Sequence, residues 1–456
     1  MRRHETLHPT VILLLFLSIG LAGADVGFSQ QPPTSSDQTE PEVTVELSGR
    51  QRSRFRLAMP AMQGIPLLSP SLAAAASSLE QTLRADLELS GVFNVQGRTE
   101  LAVLTLTGDP QRDFELYRSL RNELLLTTDV RQEADKLVLE GRVFDLQSGE
   151  VVLGKRYRGI PAVARRIAHT FADEIVLFFS GRQGISLTTI GFYSDREGFK
   201  EIFLMDSDGS YQRPITGHKS ISLSPDWSPT GTELAYVSYF SGAPGIYLVD
   251  VANGNKSPVI TAGNLNISPS FSPDGRQMAF ARAVGSGNVE IFVCNRDGSG
   301  LRQLTYSSAI DTNPAWSPSG SRIAFTSSRT GSPQIYVMDA QGSNLRRLTF
   351  DGDYNDGAAW SPDGTRLVYA SRRRGSFDIA VADVVTLESR LLTNGGGSNE
   401  TPSFSPDGRK IVFATRRVAG RESRTQVFVM DSNGGNLRQL THEGNNFGPV
   451  WSGFLN

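Results

Sequence analysis

The sequence has little of what enzymes and disulfide-stabilised proteins use. It contains one cysteine, Cys294, in 456 residues, which excludes an intrachain disulfide and any metal site built from several cysteines. Two of its five histidines, His4 and His8, lie at the extreme N-terminus, so little material is left for a histidine-based active site. The formal net charge of −2 argues against a nucleic-acid-binding protein. These absences predict a soluble protein without catalytic activity, metal or cofactor, and the length of 456 residues predicts two or more domains.

Long hydrophobic runs are also lacking. Arg2 and Arg3 precede an apolar stretch over residues 11–21, which falls short of the roughly 20 apolar residues that a membrane-spanning helix needs. The small residues Ala22-Gly23-Ala24 then provide a cleavage signal. We therefore predict a removable secretory signal peptide over residues 1–24 and no membrane insertion after cleavage. An uncleaved membrane anchor is the alternative.

The segment after the signal changes from polar tail to strand. Residues 25–42 are rich in Gln, Pro, Ser, Thr and Glu, which predicts a flexible tail because such a composition buries little apolar surface. Val43–Leu47 then alternates with the period of a strand. Arginines follow at alternate positions: Arg50, Arg52, Arg54 and Arg56. They form either a solvated sheet face or an electrostatic docking strip.

Residues 43–183 predict a compact α/β domain. Ser69-Pro70, Asp109-Pro110 and Pro161 are typical helix starts, because proline fits the first helical turn and Ser or Asp can cap it. Three further segments are typical of strands joined by short turns: Glu123–Val130, Leu137–Leu146 and Val151–Arg158. The domain concentrates no nucleophiles, paired acids or metal ligands.

From residue 186 to 456 the sequence repeats every 44 to 47 residues. Each copy carries the motif [WF]-S-P-x-G, and the copies begin at Trp227, Phe271, Trp316, Trp360 and Phe404, with a shortened copy at Trp451. Counting the Ser-Pro segment as a strand gives four strands per period, which is typical of a propeller blade. The first repeat lacks its own Ser-Pro strand, and the chain ends with an unattached one. We therefore predict a six-bladed β-propeller closed by the C-terminal strand.

Comparison of the repeats gives a structural interpretation to two features that are similar to functional sites. Asp206-Ser-Asp208-Gly209 is similar to the start of a calcium loop, but its counterpart Asp250–Gly254 has drifted and no distal glutamate repeats. We interpret these segments as hairpin turns that need Gly or Asn at positive φ. Cys294 occupies the position of Met205 and Met338, which predicts a small buried hydrophobic residue.

The secretory signal, the α/β domain and the six-bladed propeller of [WF]-S-P-D-G repeats together resemble the TolB family of the Tol–Pal envelope system. The segment Phe447–Ser452 is similar to that family's closing strand, and the likeness covers residues 43–456. The resemblance implies a monomeric, non-enzymatic periplasmic interaction protein. Its implied partners are a Pal-like peptidoglycan-associated lipoprotein at the propeller and a TolA-like inner-membrane protein at the N-terminal segment. The implied role is to support outer-membrane integrity and invagination during cell division.

Candidate binding residues lie in the segments that precede the Ser-Pro motifs. Strand cores keep their pattern, whereas these segments vary and ring one end of the predicted propeller, where binding specificity is usually placed. The resemblance assigns Pal contacts to this connection. The candidate Pal-binding residues are Leu265, Asn266, Ser268, Thr312, Asn355, Asn399, Glu400 and Asn446. The candidate TolA-binding residues are Val43, Thr44, Val45 and Glu46.

Two other functions stay open. A secreted enzyme, such as a propeller-type polysaccharide lyase, needs a His/Arg/metal cluster that converges on the ring axis. Beyond the N-terminal segment the chain has only His169, His218 and His442, and His169 precedes the propeller. The other alternative is a propeller that binds an unrelated envelope partner or a glycan.

Overall fold

The computed structural model describes most of the chain from residue 54 onward. The described ranges are 54–285, 287–373, 375–419 and 422–455. They belong to one compact unit. The predicted signal peptide (1–24), tail (25–42) and first strand (Val43–Leu47) lie outside the described residues. These assignments stay predictions, as do the domain boundaries at residues 183 and 186.

A five-stranded sheet between helices forms the N-terminal domain. The strands are β1 (Phe55–Ala58), β2 (Phe93–Gln96), β3 (Leu124–Glu133), β4 (Lys136–Asp145) and β5 (Val151–Gly159). The helices are α1 (Pro70–Leu89), α2 (Arg98–Leu101), α3 (Pro110–Ser119) and α4 (Ala164–Ser180). The strand order is β2-β1-β3-β4-β5, and α1 and α4 pack on one face of this sheet. Of the helices in the described ranges, none has the length and apolar character needed to span a membrane.

The helix starts predicted from the sequence are confirmed in position, but the side chain of Ser69 makes no capping hydrogen bond. Helix α1 begins at Pro70, and α3 begins at Pro110, where the Asp109 carboxylate accepts hydrogen bonds from the next free backbone N–H groups. Pro161 opens a short 3-10 turn that leads into α4. The leucine stripe of α1 is buried against the sheet, as its helical spacing predicts: Leu72, Leu79, Leu83 and Leu87.

The remaining strands in the described ranges form six four-stranded antiparallel sheets, named blades 1 to 6. They are β6 (Thr189–Ser194), β7 (Glu201–Asp206), β8 (Arg213–Pro214), β9 (Ser222–Trp227), β10 (Glu233–Ser238), β11 (Gly245–Asp250), β12 (Lys256–Ile260), β13 (Asn266–Phe271), β14 (Gln277–Val284), β15 (Asn288–Asn295), β16 (Arg302–Gln303), β17 (Asp311–Trp316), β18 (Arg322–Ser327), β19 (Gln334–Asp339), β20 (Arg346–Arg347), β21 (Tyr354–Trp360), β22 (Arg366–Arg373), β23 (Ser376–Asp383), β24 (Ser389–Leu391), β25 (Ser398–Phe404), β26 (Lys410–Ala419), β27 (Glu422–Asp431), β28 (Arg438–Gln439) and β29 (Asn446–Trp451).

The C-terminal strand closes the ring, as predicted. Blade 1 combines β29 with β6, β7 and β8, and blades 2 to 6 follow as β9–β12, β13–β16, β17–β20, β21–β24 and β25–β28. Strand β29 pairs antiparallel with β6, with Asn446 opposite Ser194 and Trp451 opposite Ile190. The strand of each blade that lines the channel is here called the inner strand. The inner strands of blades 1 to 6 are β29, β9, β13, β17, β21 and β25.

The prediction that the Ser-Pro segment forms the inner strand is wrong. Inner strand β9 ends at Trp227, and Ser228–Gly231 forms the turn that follows it. Gly231 has a φ of 68°, and the Ser228 hydroxyl accepts the backbone N–H of Glu233. The segments expected to be loops, such as Asn264–Ser268, therefore contribute the start of the inner strands. Pro225 and Pro269 fit within inner strands because an inner strand is the edge strand of its blade and needs no N–H donor on the channel side.

Cys294 is buried, as predicted from its place in the repeat. It lies opposite Met278 in the β14–β15 pair and has no exposed surface. Burial raises the pKa of its thiol to about 12, with the charge of Asp297 adding to the effect. The residue therefore acts as a small hydrophobic side chain in the core between blades.

A charged cluster joins the N-terminal domain to blade 1. The Arg165 guanidinium lies 2.8 Å from an Asp206 carboxylate oxygen and 3.1 Å from one of Asp208. His169 Nδ1 lies 2.7 Å from Asp86 Oδ2, and its Nε2 lies 3.4 Å from Asp206 Oδ2. The acidic residues that are similar to a calcium loop thus bind an arginine and a histidine of helix α4.

A second contact joins Arg54, the residue before β1, to blade 6. Arg54 Nη2 lies 2.6 Å from Asp431 Oδ2, and the nearly buried Lys410 ammonium donates to the other oxygen of that carboxylate. Arg56 instead donates to the carbonyl of Leu120 within its own domain. Of the two interpretations of the arginine strip, the docking strip therefore holds for Arg54. Arg50 and Arg52 lie outside the described residues.

Burial and hydrogen bonding act in opposite directions on His169. Burial disfavours the charged ring, but the hydrogen bonds to Asp206 and Asp86 outweigh it and raise the pKa of His169 to about 9. Burial also raises the pKa of Asp86 to about 6, although His169 lowers it. At pH 7 the pair is therefore a protonated histidine and an ionised carboxylate.

Removing the closing strand is expected to unfold the propeller. Deleting residues 447–456 removes ladder hydrogen bonds worth ~1 kcal/mol net each and the buried Trp451, whose truncation alone costs ~3–5 kcal/mol. The sum of these losses is most of a typical free energy of unfolding, which is ~5–15 kcal/mol. Thermal unfolding followed by circular dichroism tests this, with Trp451→Phe as the milder control. A truncated chain that melts cooperatively near the wild-type temperature would contradict closure by β29.

Replacing His169 is expected to cost stability in a pH-dependent manner. Because its folded pKa of about 9 exceeds its ordinary value of 6.5, the contribution is full below pH 6.5 and is lost as the pH rises through 9. We expect His169→Gln to lower the free energy of unfolding by on the order of 3 kcal/mol at pH 6.5. Urea unfolding between pH 6.5 and 9.5 measures it, with the exposed His442→Gln as control. A pH-independent difference between wild type and His169→Gln would contradict the charged pair.

Candidate functional site

The inner strands begin around one end of the central channel, here called the channel mouth. A cavity of about 270 Å³ lies there, and its lining includes Tyr193, Ser268, Asn313, Asp356, Glu400 and Thr401. Each inner strand carries a register shift, with a residue at positive φ inside or beside it: Ser224, Ser268, Asn313, Gly357, Thr401 and Gly448. This conformation is uncommon for residues other than glycine. Its repetition bends every inner strand at the same level and so shapes the mouth.

Polar side chains connect neighbouring blades at the mouth. The Ser268 hydroxyl donates to Asn313 Oδ1 at 2.6 Å, and Asn313 Nδ2 donates to Asp356 Oδ1 at 2.7 Å. The Thr326 hydroxyl donates to the same Asp356 oxygen at 2.8 Å. Blades 3, 4 and 5 are thus joined by a chain of hydrogen bonds. Over the residues that the structure describes, no group of three or more His, Cys, Asp or Glu is placed to hold a metal ion.

Four of the eight candidate Pal-binding residues are buried, and for them the prediction of a partner contact is wrong. Asn266, Asn355, Asn399 and Asn446 have no exposed surface. The amide of Asn355 donates to Gln334 at 2.8 Å, and that of Asn446 donates to Gln426 at 2.9 Å. Asn399 donates to Asp378 in the same way at 3.3 Å. Buried amides need such partners, so these side chains hold neighbouring blades together.

A signal for this role was present in the sequence. Each buried residue follows a strand-ending threonine by five or six positions, as Asn399 follows Thr393 and Asn446 follows Thr441. The Thr393 hydroxyl donates to the same Asp378 carboxylate as Asn399. A polar residue also stands five positions before the motif aromatic in every repeat, as Asn399 does before Phe404. Such a recurring position indicates a structural role, whereas a binding residue needs no counterpart in the other blades.

The other four candidates stay accessible at the mouth. Leu265, Ser268 and Thr312 are half-buried, and Glu400 is exposed. Leu265 directly precedes β13, and Thr312 pairs with Thr326 on the neighbouring strand. Glu400 accepts a hydrogen bond from the Ser398 hydroxyl. Their role in binding stays a prediction. The candidate TolA-binding residues Val43, Thr44, Val45 and Glu46 lie outside the described residues.

Sequence reasoning missed an aromatic component of the mouth. Tyr193 and Phe447 stack with ring centroids 5.3 Å apart, and the Lys200 ammonium lies 5.0 Å from the Phe447 ring. Burial raises the pKa of Tyr193 to about 12, and the charge of Glu400 adds to it. Phe447 follows the buried Asn446 as Glu400 follows Asn399. Successive strand residues point to opposite faces, so the residue after each buried polar position is expected to be more exposed. This rule, applied to each repeat, predicts the more exposed position of Phe447.

The fold and the mouth define a class: a closed propeller behind an α/β domain, with an accessible polar and aromatic surface at one end. A family model described as "TolB beta propeller domain" matches residues 178–455, and one described as "TolB amino-terminal domain" matches residues 43–152. The chain belongs to the TolB family. Its predicted fold class is thereby confirmed.

Individual relatives agree with this assignment. A "Protein TolB homolog" of Chlorobium chlorochromatii is 34% identical over 57% of this chain and 58% of its own length. A "Tol-Pal system protein TolB" of Syntrophotalea carbinolica is 34% identical over 44% of this chain. The chain spans 58% and 46% of the length of these two relatives. The crystal structure of TolB from Acinetobacter baumannii matches with a TM-score of 0.75 and 26% identity, covering 88% of this chain and 97% of that one.

Neighbouring residues of β25 should differ sharply in their contribution to stability. Asn399→Ala removes a buried donor to Asp378 and is expected to cost ~1–3 kcal/mol. Glu400→Gln changes an exposed side chain and should stay within about 0.5 kcal/mol of wild type. Urea unfolding of the two variants measures the difference. Equal stability of Asn399→Ala and wild type would contradict the structural role of the buried amides.

Proposed function

We propose that the protein is a non-enzymatic periplasmic component of the Tol–Pal system that binds a Pal-like peptidoglycan-associated lipoprotein at the channel mouth. Membership of the TolB family and relatives named as Tol–Pal proteins support the system. The observation that carries the location is the cluster of accessible residues at the start of the inner strands: Leu265, Ser268, Thr312 and Glu400. Residues on a rigid scaffold can bind with little ordering cost.

The position of the N-terminal domain favours the mouth over the other end of the propeller. Asp206 and Asp431, which bind Arg165 and Arg54, lie at the ends of β7 and β27. These strands end on the side of the Ser-Pro turns, opposite the start of the inner strands. The N-terminal domain therefore packs at the far end, and it leaves the mouth accessible to a partner.

The N-terminal segment is proposed to serve a second partner. We infer that Val43, Thr44, Val45 and Glu46 bind a TolA-like inner-membrane protein. The match of the TolB amino-terminal family model, which starts at residue 43, supports this assignment. Binding of one partner at the channel mouth and another at the N-terminal segment would support outer-membrane integrity and invagination of the envelope during cell division.

The lyase-like alternative receives no support from the histidines. His169 lies in the charged cluster with Asp86, and His218 Nε2 lies 3.0 Å from the Tyr236 hydroxyl. His442 is exposed beside the outer strand of blade 6. The three side chains thus belong to different surroundings rather than to one cluster at the ring axis.

Arginine substitutions at the mouth should weaken binding without unfolding the protein. We expect at least one of the variants Leu265→Arg, Thr312→Arg and Glu400→Arg to lose ~2 kcal/mol of binding free energy, which lowers the affinity about 30-fold. Calorimetry with a soluble Pal-like domain measures binding, and urea unfolding monitors folding. Leu345→Arg, at an exposed leucine on the opposite end, is the matched control. If all three mouth variants bind normally while folded, the binding surface lies elsewhere; if wild type does not bind, the proposed partner is wrong.

A further inference from the structure

Three exposed apolar side chains lie beside the channel mouth and are here called the apolar patch: Phe199, Ile221 and Phe240. Their exposed fractions are 49%, 42% and 62%. Phe199 lies in the hairpin between β6 and β7, Phe240 lies in the hairpin between β10 and β11, and Ile221 directly precedes the inner strand β9. The inner strands β29 and β9 begin beside these two hairpins. The apolar patch therefore belongs to the mouth end of blades 1 and 2.

Backbone hydrogen bonds hold the segment of Ile221 between the two hairpins. The Ile221 carbonyl accepts the backbone N–H of Tyr239 at 3.0 Å, which places it beside the hairpin of Phe240. The N–H of the next residue donates to the carbonyl of Lys200 at 2.7 Å, which places it beside the hairpin of blade 1. The Phe240 ring also contacts His218, with ring centroids 4.8 Å apart. The three apolar residues are thus carried by connected segments of the propeller.

Phe240 occupies a position that other blades use within the structure. Two residues after the end of the second strand, blades 1 and 4 carry Arg196 and Arg329. Arg196 donates to Asn446 at 2.7 Å, and Arg329 lies 2.8 Å from Asp311. A phenylalanine side chain has no donor for such a bond, and more than half of this one is exposed. An exposed aromatic residue in place of a structural arginine indicates a contact with another molecule.

The apolar patch is continuous with the proposed binding surface on two sides. Ile221 directly precedes β9, as the candidate Leu265 directly precedes β13 on the next blade. Toward the channel, the Lys200 ammonium lies 5.0 Å from the Phe447 ring, which stacks on Tyr193 in the lining of the mouth. A partner that covers Leu265 and Phe447 therefore lies beside the patch.

The area of the apolar patch indicates that it is one part of a larger interface. A fully buried aromatic side chain contributes roughly 200 Å², so three half-exposed side chains offer on the order of 300 Å². Each partner buries ~800 Å² in an interface of standard size. The patch alone is therefore too small to hold a second copy of this chain. The surface that adjoins it and completes such an area is the channel mouth.

The charges around the apolar patch nearly balance. The two hairpins and the segment that carries Ile221 contain two acidic and three basic residues: Asp195, Arg196, Glu197, Lys200 and Lys219. Arg196 is already bonded to Asn446. Clusters that bind anionic lipid typically contain about 4–8 basic residues. This border therefore fits a protein surface better than a membrane.

We propose that the apolar patch is an additional contact for the lipoprotein bound at the channel mouth and that it binds apolar side chains of that partner. This inference rests on the proposed function. Aromatic residues are frequent among the few interface residues that contribute most of the binding energy. Substitutions within an interface mainly change the dissociation rate, whereas charges at its border act on association. Loss of the patch should therefore shorten the lifetime of the complex.

Binding kinetics test the proposal directly. The variants Phe240→Ser and Ile221→Ser are compared with wild type for binding to a soluble Pal-like domain by surface plasmon resonance. We expect each variant to raise the dissociation rate constant about tenfold, while the association rate constant changes less than about twofold. Phe240→Leu, which keeps an apolar side chain at this position, should retain most of the affinity.

Two controls separate the position of the apolar patch from apolar exposure in general and from folding. Leu345→Ser removes an aliphatic side chain of almost the same exposure, 41% against 42% for Ile221, at the opposite end of the propeller. It should bind the Pal-like domain like wild type. Urea unfolding of each variant confirms that the propeller is folded.

The outcomes distinguish this inference from the proposed function. Failure of wild type to bind the Pal-like domain overturns both. Binding by wild type with equal dissociation rates in Phe240→Ser and Ile221→Ser overturns only the role of the apolar patch. Two further results would also overturn it, provided that lipoprotein binding is unchanged in the variants. One is loss of self-association in sedimentation, which would assign the patch to a second copy, and the other is loss of binding to phosphatidylglycerol vesicles, which would assign it to a membrane.

Discussion

Pairing of β29 with β6 is the interaction on which the rest of this structure depends. It brings Trp451 into a core shared by blades 1 and 6, and the indole N–H donates to the Thr188 hydroxyl at 2.8 Å. Leu89 at the end of helix α1 and Ile185 before the first blade belong to the same core. The last strand therefore closes the ring and also packs where the N-terminal domain meets the propeller. Charged contacts at Asp206 and Asp431 lie on either side of this core and fix the same orientation.

Strand alternation explains how one strand can serve stability and also the binding that we propose. On β25 the buried Asn399 ties blade 6 to Asp378 of blade 5, while the adjacent Glu400 is exposed at the mouth. Alternation along a strand separates the two roles by a single residue. The positive φ at Thr401 then bends the strand, and its repetition around the ring keeps the channel open at that level. A rigid mouth of this kind presents variable residues in fixed positions.

The repeats in the sequence were enough to predict the blade count and closure, because Trp451 repeats the place of Trp227 without a following hairpin. The sequence could not separate strand from turn, since Pro225 and Pro269 lie within inner strands that need no donor at the channel edge. It also could not pair Arg54 with Asp431, which are 377 residues apart. The burial of Asn266 shows only when the repeats are compared, because a polar residue stands five positions before the motif aromatic in every repeat. Its partners are the carbonyls of Ala262, four residues away, and of Pro244 in blade 2.

Hydrogen exchange in the presence of a soluble Pal-like domain tests the central claim most directly. The account predicts slower exchange in the segments that begin the inner strands, residues 264–268, 311–313 and 398–401. It predicts no change in the Ser-Pro turns at the opposite end, residues 272–275 and 317–320. Protection of those turns, with unchanged exchange at the start of the inner strands, would contradict binding at the channel mouth.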